Sequence, residues 1–297
     1  MAFCAAGSTG ASPFERWISL GKILLLVPFL LGSQLLPLKG CSGAVAPEVA
    51  QQLYWVDIID NTVQRTGMDG SAVEALITGL RFPKDIALDV NAGKLYWTET
   101  GKIQRANLDG SEAETVLDKL GDPDSIALDL DHAKMYWANF SRTKIQRAGT
   151  DGSNVEDLVT GLAGPRGLAL DVAAGKLYWA VPAEIQRANL DGSEVETLVS
   201  GLVGPRDTAL DVAGGKLYWV DRGKVQRANL DGSNVEDLVD DIGDPNSIAL
   251  DLAQGLMYWS DPGTSKIQRA NLDGTNVEGV LSDLGGPRGI ALSVAAP

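Results

Sequence analysis

The dipeptide Tyr-Trp occurs six times in this chain at a nearly constant spacing. Successive copies begin 40 or 42 residues apart. A period in that range is typical of a repeat architecture. One such unit cannot bury its apolar faces alone, so neighbouring units must stack in a line or close into a ring. The tyrosines of the six copies are Tyr54, Tyr96, Tyr136, Tyr178, Tyr218 and Tyr258.

Each repeat contains four short segments with the composition of β-strands, and residues 164–203 show them most clearly. Asp191-Gly192 separates the third segment from the fourth, and Asp-Gly between two such runs predicts a tight hairpin turn. Four short strands with no helical period predict one blade of a β-propeller. The four segments run from Leu168 to Val172, Lys176 to Ala180, Glu184 to Leu190, and Val195 to Val199.

The repeats are staggered relative to the ends of the chain. The first complete strand, at Leu53, is a second strand, and the last, Ile290 to Val294, is a first strand. The C-terminal strand should therefore complete the N-terminal blade, which removes two open sheet edges. We expect an all-β, six-bladed propeller over residues 50–297, with four antiparallel strands in each blade and a monomeric ring.

Several of these segments resemble a known repeat. LYWTE, LYWVD and MYWSD, followed by IQRANLDGS and PRGLALD, are similar to the YWTD (class B) repeats of the low-density lipoprotein receptor family. The resemblance covers about residues 51–297 and implies a six-bladed, receptor-like propeller that binds proteins or peptides. Asn139 and Val181 depart from it, because they stand where the repeat has an acidic residue. The cysteine-rich modules of the animal receptors are missing, so only the propeller module is implied.

Residues 1–49 form a separate segment. Ile23 to Leu31 is an unbroken apolar run preceded by Arg16 and Lys22, which is typical of a secretory signal. Membrane attachment through residues 18–41 and a lipoprotein or organelle-import signal remain open alternatives. Each of these interpretations of residues 1–49 places the propeller in a secreted or other extracytoplasmic location. The formal net charge of −14 disfavours a nucleic-acid partner, since phosphate contacts need a basic surface.

Catalytic motifs are absent from the sequence. It contains no Cys/His cluster for zinc, no nucleophile elbow and no phosphate loop. The single histidine, His132, falls in a predicted turn between a first and a second strand. We therefore expect a protein that is not an enzyme and that has no cofactor and no metal ion.

Binding residues are instead expected where the repeats differ from one another. The spacing from each Tyr to the Gln of its own blade is 8 or 10 residues, whereas the spacing from that Gln to the Tyr of the next blade is always 32. The variable loops, between second and third strands, share a face with the variable connections between blades. Binding residues commonly lie on such loops of a rigid scaffold. The candidate ligand-binding residues are Ile58, Ile59, Asn61, Lys84, Asp124, Phe140, Arg142, Arg166, Arg206, Asn246 and Arg288.

Three functions remain open. The first is a protein- or peptide-binding platform whose partner docks over the first and sixth blades and reaches towards Phe140. The second is a metal-holding or enzymatic propeller of lactonase type, which the basic residues around the same ring oppose. The third is a structural or adhesive module. The oxygen ligands available to a cation in the second case are Asp85, Asp124, Asp207 and Asn246.

Overall fold

The computed structural model describes residues 51–293, which form six four-stranded antiparallel sheets. The first strand of each sheet contacts the first strands of the sheets before and after it, so the six sheets form a closed ring. The predicted six-bladed propeller is therefore confirmed. Within residues 51–293 no helix is long and apolar enough to cross a membrane. The predicted signal or anchor in residues 1–49 lies outside the described part of the chain.

Each blade is ordered from the channel outwards as first, second, third and fourth strand. The first blade consists of β24 (Pro287–Ser293), β1 (Gln52–Asp57), β2 (Thr62–Gly67) and β3 (Glu74–Thr78). The second consists of β4 (Asp85–Asp89), β5 (Lys94–Glu99), β6 (Lys102–Asn107) and β7 (Glu114–Leu117). The third consists of β8 (Pro123–Asp129), β9 (Lys134–Asn139), β10 (Lys144–Gly149) and β11 (Glu156–Thr160).

The other three blades repeat this order. The fourth consists of β12 (Arg166–Asp171), β13 (Lys176–Val181), β14 (Glu184–Asn189) and β15 (Glu196–Ser200). The fifth consists of β16 (Thr208–Asp211), β17 (Lys216–Asp221), β18 (Lys224–Asn229) and β19 (Glu236–Val239). The sixth consists of β20 (Ser247–Asp251), β21 (Leu256–Asp261), β22 (Lys266–Asn271) and β23 (Glu278–Leu281).

The ring is closed by the last strand of the chain, as predicted. Strand β24 pairs antiparallel with β1, so that Trp55 lies opposite Ile290 and Gln52 opposite Ser293. The first blade is thus built from both ends of the domain. No blade of the ring lacks its inner strand, which leaves no inner edge open to pair with another chain.

Aromatic side chains fill the space between blades. Adjacent residues on a strand point to opposite faces, so the Tyr and Trp of one blade pack on different neighbours. Tyr54 of the first blade packs with Trp97 of the second, and Tyr258 of the sixth packs with Trp55 of the first. All six tryptophans of these pairs are at most 1% exposed. Large aromatic side chains dominate the energetics of such a core.

The arginine of the repeated Gln-Arg pair joins each blade to the next. Its Nη1 donates to a backbone carbonyl oxygen of the following blade at 3.0–3.3 Å, and the sixth blade bonds to the first in the same way. These six bonds give the repeated arginine an architectural role. The donor and acceptor residues are Arg65 and Leu108, Arg105 and Thr150, Arg147 and Leu190, Arg187 and Leu230, Arg227 and Leu272, and Arg269 and Met68.

The two halves of the ring are also similar to each other in sequence. DPDSIALDL at residues 122–130 corresponds to DPNSIALDL at residues 244–252, and GPRG at residues 164–167 corresponds to GPRG at residues 286–289. In both cases the corresponding residues lie 122 positions apart. Blades two, three and four therefore correspond to blades five, six and one, and the channel has an approximate two-fold symmetry.

Candidate functional site

A cavity of about 470 Å³ opens at the centre of the face that carries the second-to-third-strand loops and the connections between blades. We call it the mouth cavity. Seven of the eleven predicted binding residues line it, so most of the residues predicted from spacing lie together in the structure. These are Lys84, Asp124, Phe140, Arg166, Arg206, Asn246 and Arg288; the other lining residues are Asp122, Asp244, Pro262 and Gly263.

The remaining four predicted residues do not line the mouth cavity. Ile58 and Ile59 lie on the loop after β1, and the Ile59 side chain is 66% exposed. Asn61 has a positive φ of 57°, and its side-chain amide donates to Ile59 O, so it shapes that same turn. Arg142 donates to Lys119 O at 2.5 Å. These residues belong to the rim around the cavity.

Two basic side chains of the mouth are paired with carboxylates. Lys84 Nζ lies 2.6 Å from Asp122 Oδ2 and 3.4 Å from Asp124 Oδ1. On the opposite side of the channel, Arg206 Nη2 lies 2.7 Å from Asp244 Oδ2. Lys84 and Arg206 occupy corresponding positions in the two halves, as do Asp122 and Asp244. Half of the basic charge at the mouth is therefore neutralised locally.

The other two arginines have no carboxylate partner among the ion pairs of residues 51–293. The guanidinium carbon of Arg166 lies 4.9 Å from the centre of the Phe140 ring, a cation–π arrangement. Pro262 stands at the position corresponding to Phe140, so Arg288 has no aromatic ring there. Arg288 Nε is buried and has no hydrogen-bond partner.

Charge is unbalanced at the mouth. Four basic and three acidic side chains line the cavity, whereas the whole chain carries a net charge of −14. Burial lowers the pKa of Arg288, and the neighbouring charges of Arg206 and Arg166 lower it further. An anionic group placed beside Arg288 would relieve this repulsion and could accept from the unpartnered Nε.

A narrow neck lies beneath the mouth cavity. It encloses about 20 Å³, room for about one water molecule. Each connection contributes an Asp, Ser or Gly to its lining, in an order that repeats twice around the ring; Lys84, Asp124, Arg206 and Asn246 of the mouth also line it. Each glycine sits where a side chain would overlap the neighbouring blade. The six residues are Asp85, Ser125, Gly167, Asp207, Ser247 and Gly289.

The two carboxylates of the neck bind the backbone of the following blade. Asp85 accepts from the backbone N–H of Ile126 at 2.8 Å, and Asp207 accepts from that of Ile248 at 3.0 Å. Burial, together with the charge of Asp207, raises the pKa of Asp85 to about 8. Burial raises the pKa of Asp207 to about 6, and the hydrogen bond from Ser247 opposes this shift.

The residues considered as cation ligands are Asp85, Asp124, Asp207 and Asn246. All four line the neck, and Asp124 and Asn246 also line the mouth cavity; backbone amides occupy the oxygens of Asp85 and Asp207, and Asp124 lies beside Lys84. In the part of the chain that the structure describes, no three His, Cys, Asp or Glu side chains are grouped to hold a metal ion.

Asp122 and Asp244 are the charged lining residues that the sequence reasoning missed. Both immediately precede the proline of a connection between blades, and attention to that position could have found them. His132, by contrast, lies where it was expected, in the turn between β8 and β9 on the opposite face. Its Nδ1 is 2.9 Å from Asp129 Oδ2, within its own turn.

Comparison with known proteins identifies the repeats. The fold and the lined channel define a six-bladed β-propeller. Low-density lipoprotein receptor repeat class B matches residues 93–130, 215–252 and 255–292. Three segments of the chain therefore match class B repeats, in agreement with the resemblance.

Solved structures share the fold at low sequence identity. A chain of a nidogen/laminin complex is 22% identical, with a TM-score of 0.75, and the match covers 82% of this chain and 98% of that one. A gluconolactonase from Xanthomonas campestris is 20% identical, with a TM-score of 0.62 and coverage of 70% and 78%. TolB from Acinetobacter baumannii is 14% identical, with a TM-score of 0.68 and coverage of 82% and 66%. At these identities the likeness extends to the fold alone.

Proposed function

We propose that this chain is a non-catalytic propeller that binds a protein or peptide on the face around the mouth cavity. The unpartnered, buried Nε of Arg288 is the observation that carries the proposal. A buried donor without a partner costs free energy that a ligand acceptor would recover. A propeller of similar fold occurs in a nidogen/laminin complex, which is in keeping with a protein partner.

The exposed apolar side chains around the mouth cavity argue for a macromolecular ligand. A volume of about 470 Å³ holds one or two side chains, so a tight complex needs further contact on the rim. Large apolar side chains are available there: Ile59, Phe82 and Val203 are 66%, 57% and 70% exposed. Arginine is enriched in binding hot spots, which lie in well-packed positions from which water is excluded.

A catalytic role has less support. The gluconolactonase neighbour shares the fold, and a fold does not determine a reaction. The neck carboxylates that a metal would need already accept hydrogen bonds from backbone amides. A structural or adhesive role would not require an unpaired arginine at the mouth.

We further propose that the propeller acts outside the cytosol, delivered or held there by residues 1–49. Determination of the N-terminal residue of the mature protein, together with its partition between soluble and membrane fractions, tests this part. A mature chain that begins at Met1 in the soluble cytosolic fraction would contradict it.

The binding face is tested by recovering a partner from the extracellular fraction with the propeller as bait. The double change Ile59→Ser with Arg288→Ala should weaken binding of that partner about tenfold or more without altering the fold. Arg206→Ala is the matched control and should have a smaller effect, because Arg206 is already paired with Asp244. Equal affinities of both variants and the wild type would show that the ligand does not use this face.

A further inference from the structure

The fourth blade departs from the others at the residue that follows its Tyr-Trp pair by two positions. In blade five, Asp221 accepts hydrogen bonds from the backbone N–H groups of Val203 at 3.0 Å and Gly204 at 2.6 Å. It thereby ties down the connection that leads into its own blade. In blade four, Val181 occupies that position and has no acceptor to offer.

The loop of blade four differs as well. It has the same two-residue length as the loop of blade five, but its residues are Pro182 and Ala183, between β13 and β14. Arg222, which corresponds to Pro182, donates its backbone N–H to Asp221 at 2.7 Å. Proline has no N–H to donate, so the polar contacts of blade five have no counterpart here.

An apolar pocket lies at this departure from the repeat. Its volume is about 370 Å³, and we call it the blade-four pocket. Val181 is buried at its base, whereas Pro182, Ala183 and Ala163 are exposed. The space is large enough for a branched aliphatic or aromatic side chain. The lining residues are Gly161, Leu162, Ala163, Val181, Pro182, Ala183, Glu184 and Gln186.

A further cavity lies between the blade-four pocket and the mouth cavity and shares lining residues with each. Its volume is about 180 Å³; Pro182 lines it and the blade-four pocket, and Arg166 lines it and the mouth cavity. Arg222 and Val203 lie along the same path, and Val203 is 70% exposed. The three cavities together form a strip that is basic at the mouth and apolar at its outer end.

We propose that this strip binds an extended peptide segment of the partner, with a carboxylate at the mouth end and an apolar side chain in the blade-four pocket. The inference rests on the proposed function and specifies its ligand. Neither Arg166 nor Arg222 has a carboxylate partner among the ion pairs of residues 51–293, so both can attract a negative group. Alternate side chains of an extended chain point the same way, about 6.5–7 Å apart.

Glu184, at the outer end of the blade-four pocket, determines which end of the strip takes the acidic residue of the peptide. Its carboxylate accepts from Gln186 at 2.8 Å and from Thr197 at 3.0 Å, which holds a negative charge at that end. An acidic side chain would be repelled there and attracted at the mouth. The acidic residue of the ligand therefore lies over Arg166, and the apolar residue lies next to Pro182.

The experiment begins with random nine-residue peptides displayed on phage and selected against the immobilised full chain. Enriched peptides should contain an acidic residue within a few positions of a large apolar residue. One enriched peptide is then labelled, and its affinity is measured by fluorescence polarisation for wild type and variants. Replacing its apolar residue with serine should weaken binding about tenfold, the value expected for one buried apolar side chain.

Two variants block the blade-four pocket in different ways. Val181→Asp introduces the carboxylate that other blades carry, and Ala163→Arg places a long side chain at an exposed lining position. Each should weaken the peptide about tenfold and should have no further effect on the serine-substituted peptide. The control Val212→Asp makes the same apolar-to-acidic change at an exposed valine on the opposite face and should leave affinity unchanged.

Thermal melting establishes that each variant is folded, and Ala163→Arg remains informative should Val181→Asp unfold. Enriched peptides that bind both pocket variants as they bind wild type overturn the inference. The inference is also overturned if the enriched peptides do not combine an acidic residue with a large apolar residue a few positions away. The broader binding function is judged separately, by the affinity of the recovered partner for the Arg288 variant.

Discussion

Substitution of Gly289 by alanine tests whether the neck of the channel holds the ring closed. Gly289 lies in β24, the strand that completes the first blade, and its N–H donates to Lys84 O at 2.9 Å. An added methyl group would overlap the backbone of Asp85 and come within 2.9 Å of the Ile86 amide nitrogen. The obstacle is the main chain of the next blade, which cannot rotate away.

The expected effect is large for a single methyl group. Overpacking of a well-packed interior costs about 1–3 kcal/mol, and a backbone obstacle puts Gly289→Ala near the upper value. In a domain of this size each kcal/mol lowers Tm by about 2–4 °C, so a loss of about 6–12 °C is expected. The closing strand itself must shift to accommodate the methyl group, and this weakens its pairing with β1.

A second glycine provides the matched control. No atom lies within 4 Å of a methyl group added at Gly279, and its φ is not in the left-handed region. Gly279→Ala should therefore leave stability unchanged or raise it by about 0.4–1 kcal/mol, since alanine reduces the entropy of the unfolded chain. The free energy of unfolding is measured by urea denaturation with tryptophan fluorescence. Equal midpoints for the two variants would refute the role assigned to the neck.

Three further outcomes are expected. Deletion of all residues after Gly285 removes β24 and should abolish cooperative unfolding; a Tm within a degree or two of wild type would show that the ring closes without it. Because the pKa of Asp85 is raised in the folded state, its contribution to stability is greatest below about pH 4 and is lost as the pH rises to about 8. Asp85→Asn should accordingly flatten the dependence of unfolding free energy on pH between about pH 5 and 8, and an unchanged slope would contradict the assignment. His132→Ala should leave the pH dependence of partner affinity between about pH 7 and 5.5 as in wild type, because His132 lies on the opposite face; an altered dependence would implicate it.

The fold followed from the sequence because the repeat is dense and regular. Tyr-Trp pairs mark second strands, Asp-Gly marks the outer hairpins, and their order along the chain predicts which strand closes the ring. Each of these signals is local, and the ring only requires that identical local units contact one another. For this reason the pairing of Trp55 with Ile290 could be predicted without coordinates.

The site could be predicted only in part, because it depends on which side chains meet across the channel. Spacing indicated the face on which the mouth cavity opens and seven of the residues that line it. It gave no information about pairing: Asp122 lies beside Lys84, whereas Arg288 is left without a partner. Val181 was visible as a departure from the repeat, but the pocket beside it depends on the path of the neighbouring connection.

The pairing of β1 with β24 has a consequence for mechanical load. Gln52 lies opposite Ser293 and Asp57 opposite Pro287, so the two outward-leading ends of these strands are side by side. Tension applied across Gln52 and Ser293 would peel the strands apart, because the hydrogen bonds between antiparallel strands lie along the pull and break one after another. On heating, the hydrogen bonds between β1 and β24 must all break together. Under tension they would break one after another, so the same closure would resist stretching less than it resists heating.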